Sequence, residues 1–134
     1  GAPLKRRMQT SARGWERQER RVADALPGGK RTPGSGAGSA PQKKGDVVTA
    51  FCRLECKTTM AGSLRLERSW LEGIASQADA TRKLPALAFG FDGAMREDWL
   101  ALRLADARIL LHVADAVRRG AHDEADEWTR RLPR

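Results

Sequence analysis

Residues 45 to 59 of the chain read GDVVTAFCRLECKTT. Near the end of this stretch three apolar residues alternate with three charged ones: Cys52, Leu54 and Cys56 against Arg53, Glu55 and Lys57. Because side chains alternate between the two faces of a strand, this predicts a strand with one face in a core and one carrying charge. Residues 47–51 are apolar and β-branched, which predicts another strand directly before it.

Upstream, the sequence predicts a flexible basic arm over residues 1–11 and a helix from about Ser11. Apolar positions recur near one face of that helix, and Pro27-Gly28-Gly29 ends it. Residues 30–45 are rich in Gly, Pro and Lys, a composition typical of a mobile loop.

Downstream, the pattern predicts a short extended piece at 63–66, a helix over 67–82 and strands over 84–91 and 99–104. Asp106 is expected to cap a helix that runs to Arg119, and a short polar helix follows over 122–131. This order predicts one α/β domain over residues 12–134, with a small mixed central sheet flanked by helices.

The net charge of the chain indicates which kind of binding partner to expect. The 134 residues carry a net charge of +8, so the expected partner is a polyanion, nucleic acid first and an anionic membrane second. No apolar run approaches the ~20 residues that span a bilayer, and no signal peptide is recognisable. Cys52 and Cys56 are too far apart on a strand for a disulfide, which predicts a reducing intracellular compartment, the cytoplasm.

Asp46, Glu55 and Lys57 form the candidate site. If the two strands pair antiparallel, a short turn brings Asp46 near the other two. Two carboxylates and the intervening backbone carbonyl can then bind Mg²⁺, or Mn²⁺ in its place, through hard oxygen ligands. Lys57 can orient or activate a metal-bound water and stabilise charge that develops on a phosphate.

The G-D, strand, E-C-K pattern resembles the core of the PD-(D/E)XK nuclease superfamily, with Gly45 in place of the usual proline. With E-R-R-V-A-x-x-L at 19–26 and T-P-G-S-G at 32–36, it resembles the archaeal Holliday junction resolvases and related phage enzymes over about residues 14–90. The resemblance implies a restriction-endonuclease-like fold. It also implies a Mg²⁺-dependent homodimer that resolves four-way DNA junctions by paired symmetric incisions leaving 5′-phosphate ends, in a host cell if phage-encoded.

The resemblance also implies further site residues. The family has a metal-binding glutamate on its first helix, for which Glu16 and Glu19 are candidates. We select Glu19 because it flanks the core-facing stripe. Ser35 matches a serine of the family's mobile loop, and Gln77 lies where such nucleases carry a supporting polar residue on the next helix.

The predicted DNA contacts are the basic arm, Ser35, Gln77 and four basic residues: Lys30, Arg31, Lys43 and Lys44. The helix over 106–119 has a broader apolar surface than one sheet face needs, which favours a homodimer.

Two alternatives stay open. One is another nuclease of the same core, such as a flap, nicking or site-specific enzyme. The other is a non-catalytic basic nucleic-acid-binding module in which the carboxylates are structural and Glu-x-Lys is an ordinary solvated strand face.

Overall fold

A long helix opens the chain in the computed structural model, which describes residues 2–32, 46–92 and 97–133. This helix, α1, spans Ala2–Ala25, so the prediction of an arm without regular structure before Ser11 was wrong for residues 2–11. Residues 2–11 lack an apolar stripe but contain several helix-favouring residues, and extending a formed helix requires no new nucleation. Pro27 follows directly after Leu26 and disfavours further helix.

Five strands and three more helices follow within the described residues. The strands are β1 (Lys30–Arg31), β2 (Asp46–Val48), β3 (Cys52–Thr59), β4 (Leu84–Phe91) and β5 (Asp98–Leu102). The helices are α2 (Arg68–Ala80), α3 (Leu104–Arg118) and α4 (His122–Thr129). The strands form one sheet in the order β1-β2-β3-β4-β5, in which β3 and β4 are parallel and every other pair is antiparallel. The chain is therefore an α/β protein with a mixed sheet, as predicted.

The two faces of the sheet carry different helices. Helix α1 inserts Val22 and Ala23 into a core with Leu54, Cys56 and neighbouring residues of β2 and β4. Helix α2 connects β3 to β4 and covers the opposite face, with Ile74 and Ala78 buried. The predicted alternation in β3 is confirmed, since Leu54 and Cys56 are buried and the charged residues between them are only half-buried.

The segment predicted as a strand over 47–51 divides in two. Strand β2 ends at Val48, and the hydroxyl of Thr49 accepts hydrogen bonds from the backbone N–H groups of Phe51 at 3.2 Å and Cys52 at 2.8 Å. A local side-chain acceptor of this kind competes with a strand ladder and stabilises a turn instead. This turn sets the tight hairpin between β2 and β3.

At the C-terminal end, α3 begins at Leu104 rather than after an Asp106 cap. Asp106 lies in the first turn, buried, and accepts a 2.9 Å hydrogen bond from Nε of Arg103. Helix α3 packs on α4, where the rings of His112 and Trp128 stack with their centroids 4.0 Å apart. None of the described helices is long and apolar enough to cross a membrane.

Candidate metal-dependent phosphodiester site

Glu55 and Lys57 lie side by side on the charged face of β3. Nζ of Lys57 is 3.3 Å from Oε1 of Glu55, and the two side chains are 30% and 14% exposed, respectively. The same Nζ lies 4.6 Å from the ring centroid of Trp70 in the first turn of α2. The ammonium group is therefore held between a carboxylate and the negative face of an aromatic ring, in a partly desolvated position.

Asp46 is the register partner of Glu55 across the β2–β3 hairpin. Directly opposed positions of an antiparallel pair share one face, with Cβ atoms about 4.5–5.5 Å apart. The antiparallel pairing that the sequence analysis required is thus confirmed at the level of the backbone, and it brings two acidic positions and one lysine together.

Glu19 forms an ion pair with Arg31, a residue that the sequence predicts to contact DNA. Its side chain is 3% exposed, and Oε1 accepts a 2.8 Å hydrogen bond from Nε of Arg31 on β1. Glu16, the other candidate on the same helix, is exposed. The structure therefore distinguishes the two glutamates by burial, while a metal-ligating role for Glu19 stays a prediction.

Gln18 is a site residue that sequence reasoning missed. Its side chain is fully buried, and Nε2 donates a 2.9 Å hydrogen bond to the backbone carbonyl of Lys57. The described β2–β3 pairing ends at Glu55, two residues before this carbonyl. A side chain of α1 donates the hydrogen bond to the carbonyl. The available signal was a polar residue between Trp15 and Val22, at helical spacing on the buried stripe.

Two ion pairs hold α1 against the C-terminal end of β4 and the N-terminal end of β5. Arg17 pairs with Asp92 at 3.2 Å, and Arg21 binds both carboxylate oxygens of Asp98 at 2.8 and 3.1 Å. The hydrogen bond to Asp98 raises the pKa of the Arg21 guanidinium above its ordinary value. Arg17 directly precedes Gln18 and Arg21 follows it by three residues, so the two contacts hold its amide in place over β3.

The other predicted site residues are more dispersed. Lys30 is exposed on β1, and Gln77 is half-buried on α2 with an Oε1 atom that has no hydrogen-bond partner among the described residues. Ser35, Lys43 and Lys44 lie outside the described residues.

The donor types at the hairpin fit a hard divalent cation. Mg²⁺ and Mn²⁺ prefer oxygen donors. The hairpin offers two acidic residues at opposed positions, Asp46 and Glu55, and the backbone carbonyl of Cys56, the residue between Glu55 and Lys57. Among the side chains that the structure describes, no three of the types His, Cys, Asp and Glu come together as a metal-binding group.

No family model matches the chain, and neither the curated proteins nor the solved structures contain a significant match. The function is therefore inferred from the geometry of the hairpin and the net charge of the chain.

Proposed function

We propose that this chain is a Mg²⁺-dependent DNA endonuclease of the PD-(D/E)XK type that resolves four-way junctions as a homodimer. One observation carries the proposal. Lys57 Nζ lies 3.3 Å from Glu55, and Asp46 is the register partner of Glu55, so two acids and a lysine converge on one hairpin. Two acids can hold a metal ion, and a lysine beside them can stabilise the charge that develops during phosphodiester hydrolysis.

Each residue then has a defined role. Asp46, Glu55 and the Cys56 carbonyl would hold the metal. Glu19, predicted as a further ligand, pairs with Arg31 on the sheet face that α1 covers, whereas Glu55 and Lys57 lie on the opposite face. A metal held there would polarise the scissile phosphate and lower the pKa of a bound water. The Lys57 ammonium, held by Glu55 and Trp70, would orient the attacking water or donate hydrogen bonds to the phosphate oxygens, on which negative charge develops.

The charge balance at the hairpin argues against the non-catalytic alternative. A binding module gains affinity from cations near phosphates, whereas unneutralised carboxylates at opposed positions repel them. Lys57 pairs with Glu55 and can balance only one of the two acids, so these acidic positions are favourable for DNA only when a further cation binds there. This favours catalysis over simple binding.

The first test compares substrates and metals. We expect a labelled four-way junction to be cut with Mg²⁺ or Mn²⁺, and a linear duplex and a flap to be cut much more slowly. Ca²⁺ should support binding with little cleavage, because it tolerates loose geometry and activates water poorly. Full cleavage in excess EDTA would remove the metal mechanism, and equal cutting of all three DNAs would favour another nuclease of the same core.

The second test identifies the site. Asp46→Asn, Glu55→Gln and Lys57→Ala should each slow single-turnover junction cleavage by about 100-fold or more, since each removes a group that acts on developing charge. Junction binding should stay close to that of the wild type. Glu72→Gln and Arg82→Ala, at exposed positions, are the charge-matched controls and should cut normally. Normal cutting by all three site variants would mean that the site lies elsewhere.

A further inference from the structure

Strand β5 leaves one long edge of the sheet open. It is the last strand in the sheet order, and within the described residues nothing pairs with its outer side. Helix α3 follows β5 but packs on α4 instead of along this edge. Monomeric proteins normally protect such an edge with charge, proline or a covering segment, because its free N–H and C=O groups can pair with another chain.

The side chains of this edge are apolar and exposed. Trp99 and Leu100 are 50% and 46% exposed, and no charged residue stands between Asp98 and Leu102. Helix α3, which follows β5, also exposes apolar side chains, with Leu104 83% and Leu111 69% exposed. Exposed apolar side chains beside an open strand edge favour an interaction surface.

We propose that a second copy of this chain pairs its β5 antiparallel with this edge, which joins the two sheets across a two-fold axis. The charges that flank the strand favour this occupant. Glu97 precedes β5 and Arg103 follows it. Arg103 pairs with Asp106 and Asp79 of its own chain, and its side chain is still 48% exposed. Antiparallel pairing centred on Leu100 sets Glu97 against Arg103 of the second copy, and two-fold symmetry repeats that contact.

Parallel pairing of two identical edges would set like charges beside like charges, which disfavours it. An unrelated peptide would gain the backbone hydrogen bonds but would match the flanking charges only by chance. The self-complementary order of acid, apolar strand and base therefore indicates a copy of the same strand.

The joined sheet also fixes the spacing of the two candidate sites. Five strand-to-strand steps separate β3 of one copy from β3 of the other. At about 4.8 Å per step, the two strands lie roughly 24 Å apart. A two-fold axis normal to the sheet places both Glu55–Lys57 pairs on the same face. That spacing would let one dimer make two cuts in one branched DNA, a consequence that rests on the proposed function, whereas the edge pairing does not.

Sedimentation equilibrium at micromolar concentration tests whether the β5 edge forms a dimer interface. The wild type should have about twice the 14.7 kDa chain mass. Leu100→Lys places two like charges across the axis and should raise the dimer dissociation constant by about 100-fold or more. Phe51→Lys, at a position 44% exposed in the β2–β3 turn, is the matched control and should stay dimeric. A monomeric wild type, or a Leu100→Lys protein that stays dimeric, would overturn the proposal.

Two further variants test the flanking charges and a helix-only interface. Glu97→Arg sets two basic residues against each other across the two-fold axis and should raise the dimer dissociation constant. An unchanged dissociation constant in this variant would contradict antiparallel pairing centred on Leu100. Leu111→Lys changes α3 alone, so loss of the dimer in this variant but not in Leu100→Lys would assign the interface to the helix.

The same samples separate this inference from the nuclease proposal. If Leu100→Lys dissociates the dimer but the wild type shows no metal-dependent cleavage, the β5 interface is supported and the nuclease proposal is rejected. If the wild type is monomeric and cuts DNA with Mg²⁺, the nuclease proposal is supported and the β5 interface is rejected.

Discussion

Two glutamates on one Arg-rich helix show how much a single position decides. Glu16 and Glu19 have the same chemistry and lie less than one turn apart, yet Glu16 is exposed and Glu19 is 3% exposed and paired with Arg31. Only Glu19 is followed by apolar residues at helical spacing, which turns its side chain toward the sheet. Burial of a carboxylate requires a paired charge, and Arg31 provides it.

We expect Glu19→Gln to slow cleavage strongly and to lower the free energy of unfolding by about 1–3 kcal/mol, since it removes a buried charged acceptor from Arg31. Glu16→Gln should change neither quantity measurably. Urea denaturation and single-turnover cleavage measure the two effects separately. A Glu19→Gln variant that is less stable but cuts at the wild-type rate would assign Glu19 a structural role only.

At the scale of the elements, two glycines have opposite consequences. Gly29 connects α1 to β1, and a Cβ atom there would lie 1.9 Å from the carbonyl oxygen of Ala23. Gly73 lies exposed inside α2, where a Cβ atom would meet nothing within 4 Å. The first position requires the absence of a side chain, because the backbones approach too closely for one. The second position has no such requirement.

Gly73→Ala should therefore raise the free energy of unfolding by about 0.5–1 kcal/mol, since alanine loses less conformational entropy in a helix. Gly29→Ala should lower it by roughly 2 kcal/mol or more, because backbone atoms must move apart. Urea denaturation of both variants measures the difference. A neutral Gly29→Ala would mean that the connection between α1 and β1 adjusts at little cost.

At the scale of the whole molecule, the charge is unevenly divided along the chain. Residues 1–45 contain eleven Lys or Arg against three Asp or Glu, and residues 46–134 contain fourteen of each. The entire excess of eight positive charges thus lies in α1, β1 and the segment that follows β1. Because DNA affinity depends on cations that neutralise phosphates, this part of the chain should dominate binding.

The expected result is a weaker salt dependence when three of these charges are removed. The variant replaces Lys30, Lys43 and Lys44 with glutamine and keeps Arg31, which pairs with Glu19. Each lost phosphate contact lowers the slope of log K against log salt by about 0.9, so the slope should fall by up to about 3. The control replaces three exposed arginines of the second part, Arg65, Arg82 and Arg130. An equal loss of slope in the control would mean that binding follows net charge alone.

Local patterns in the sequence determined much of this molecule. The two-residue alternation in β3 identified its buried and charged faces, and helical spacing identified α2 to within two residues at each end. The choice of Glu19 over Glu16 as the residue beside the core also followed from spacing alone. These features are predictable because burial on one face of a regular element leaves its period in the sequence.

Other features depend on contacts between elements. The Gln18 bond to Lys57, the pairing of Glu19 with Arg31 and the ring of Trp70 under Lys57 each join residues that are distant in the sequence. The open edge of β5 likewise depends on where α3 packs, and nothing within the strand records that. Local periodicity encodes which face of an element is buried, whereas the partner that buries it is selected by packing of the whole chain.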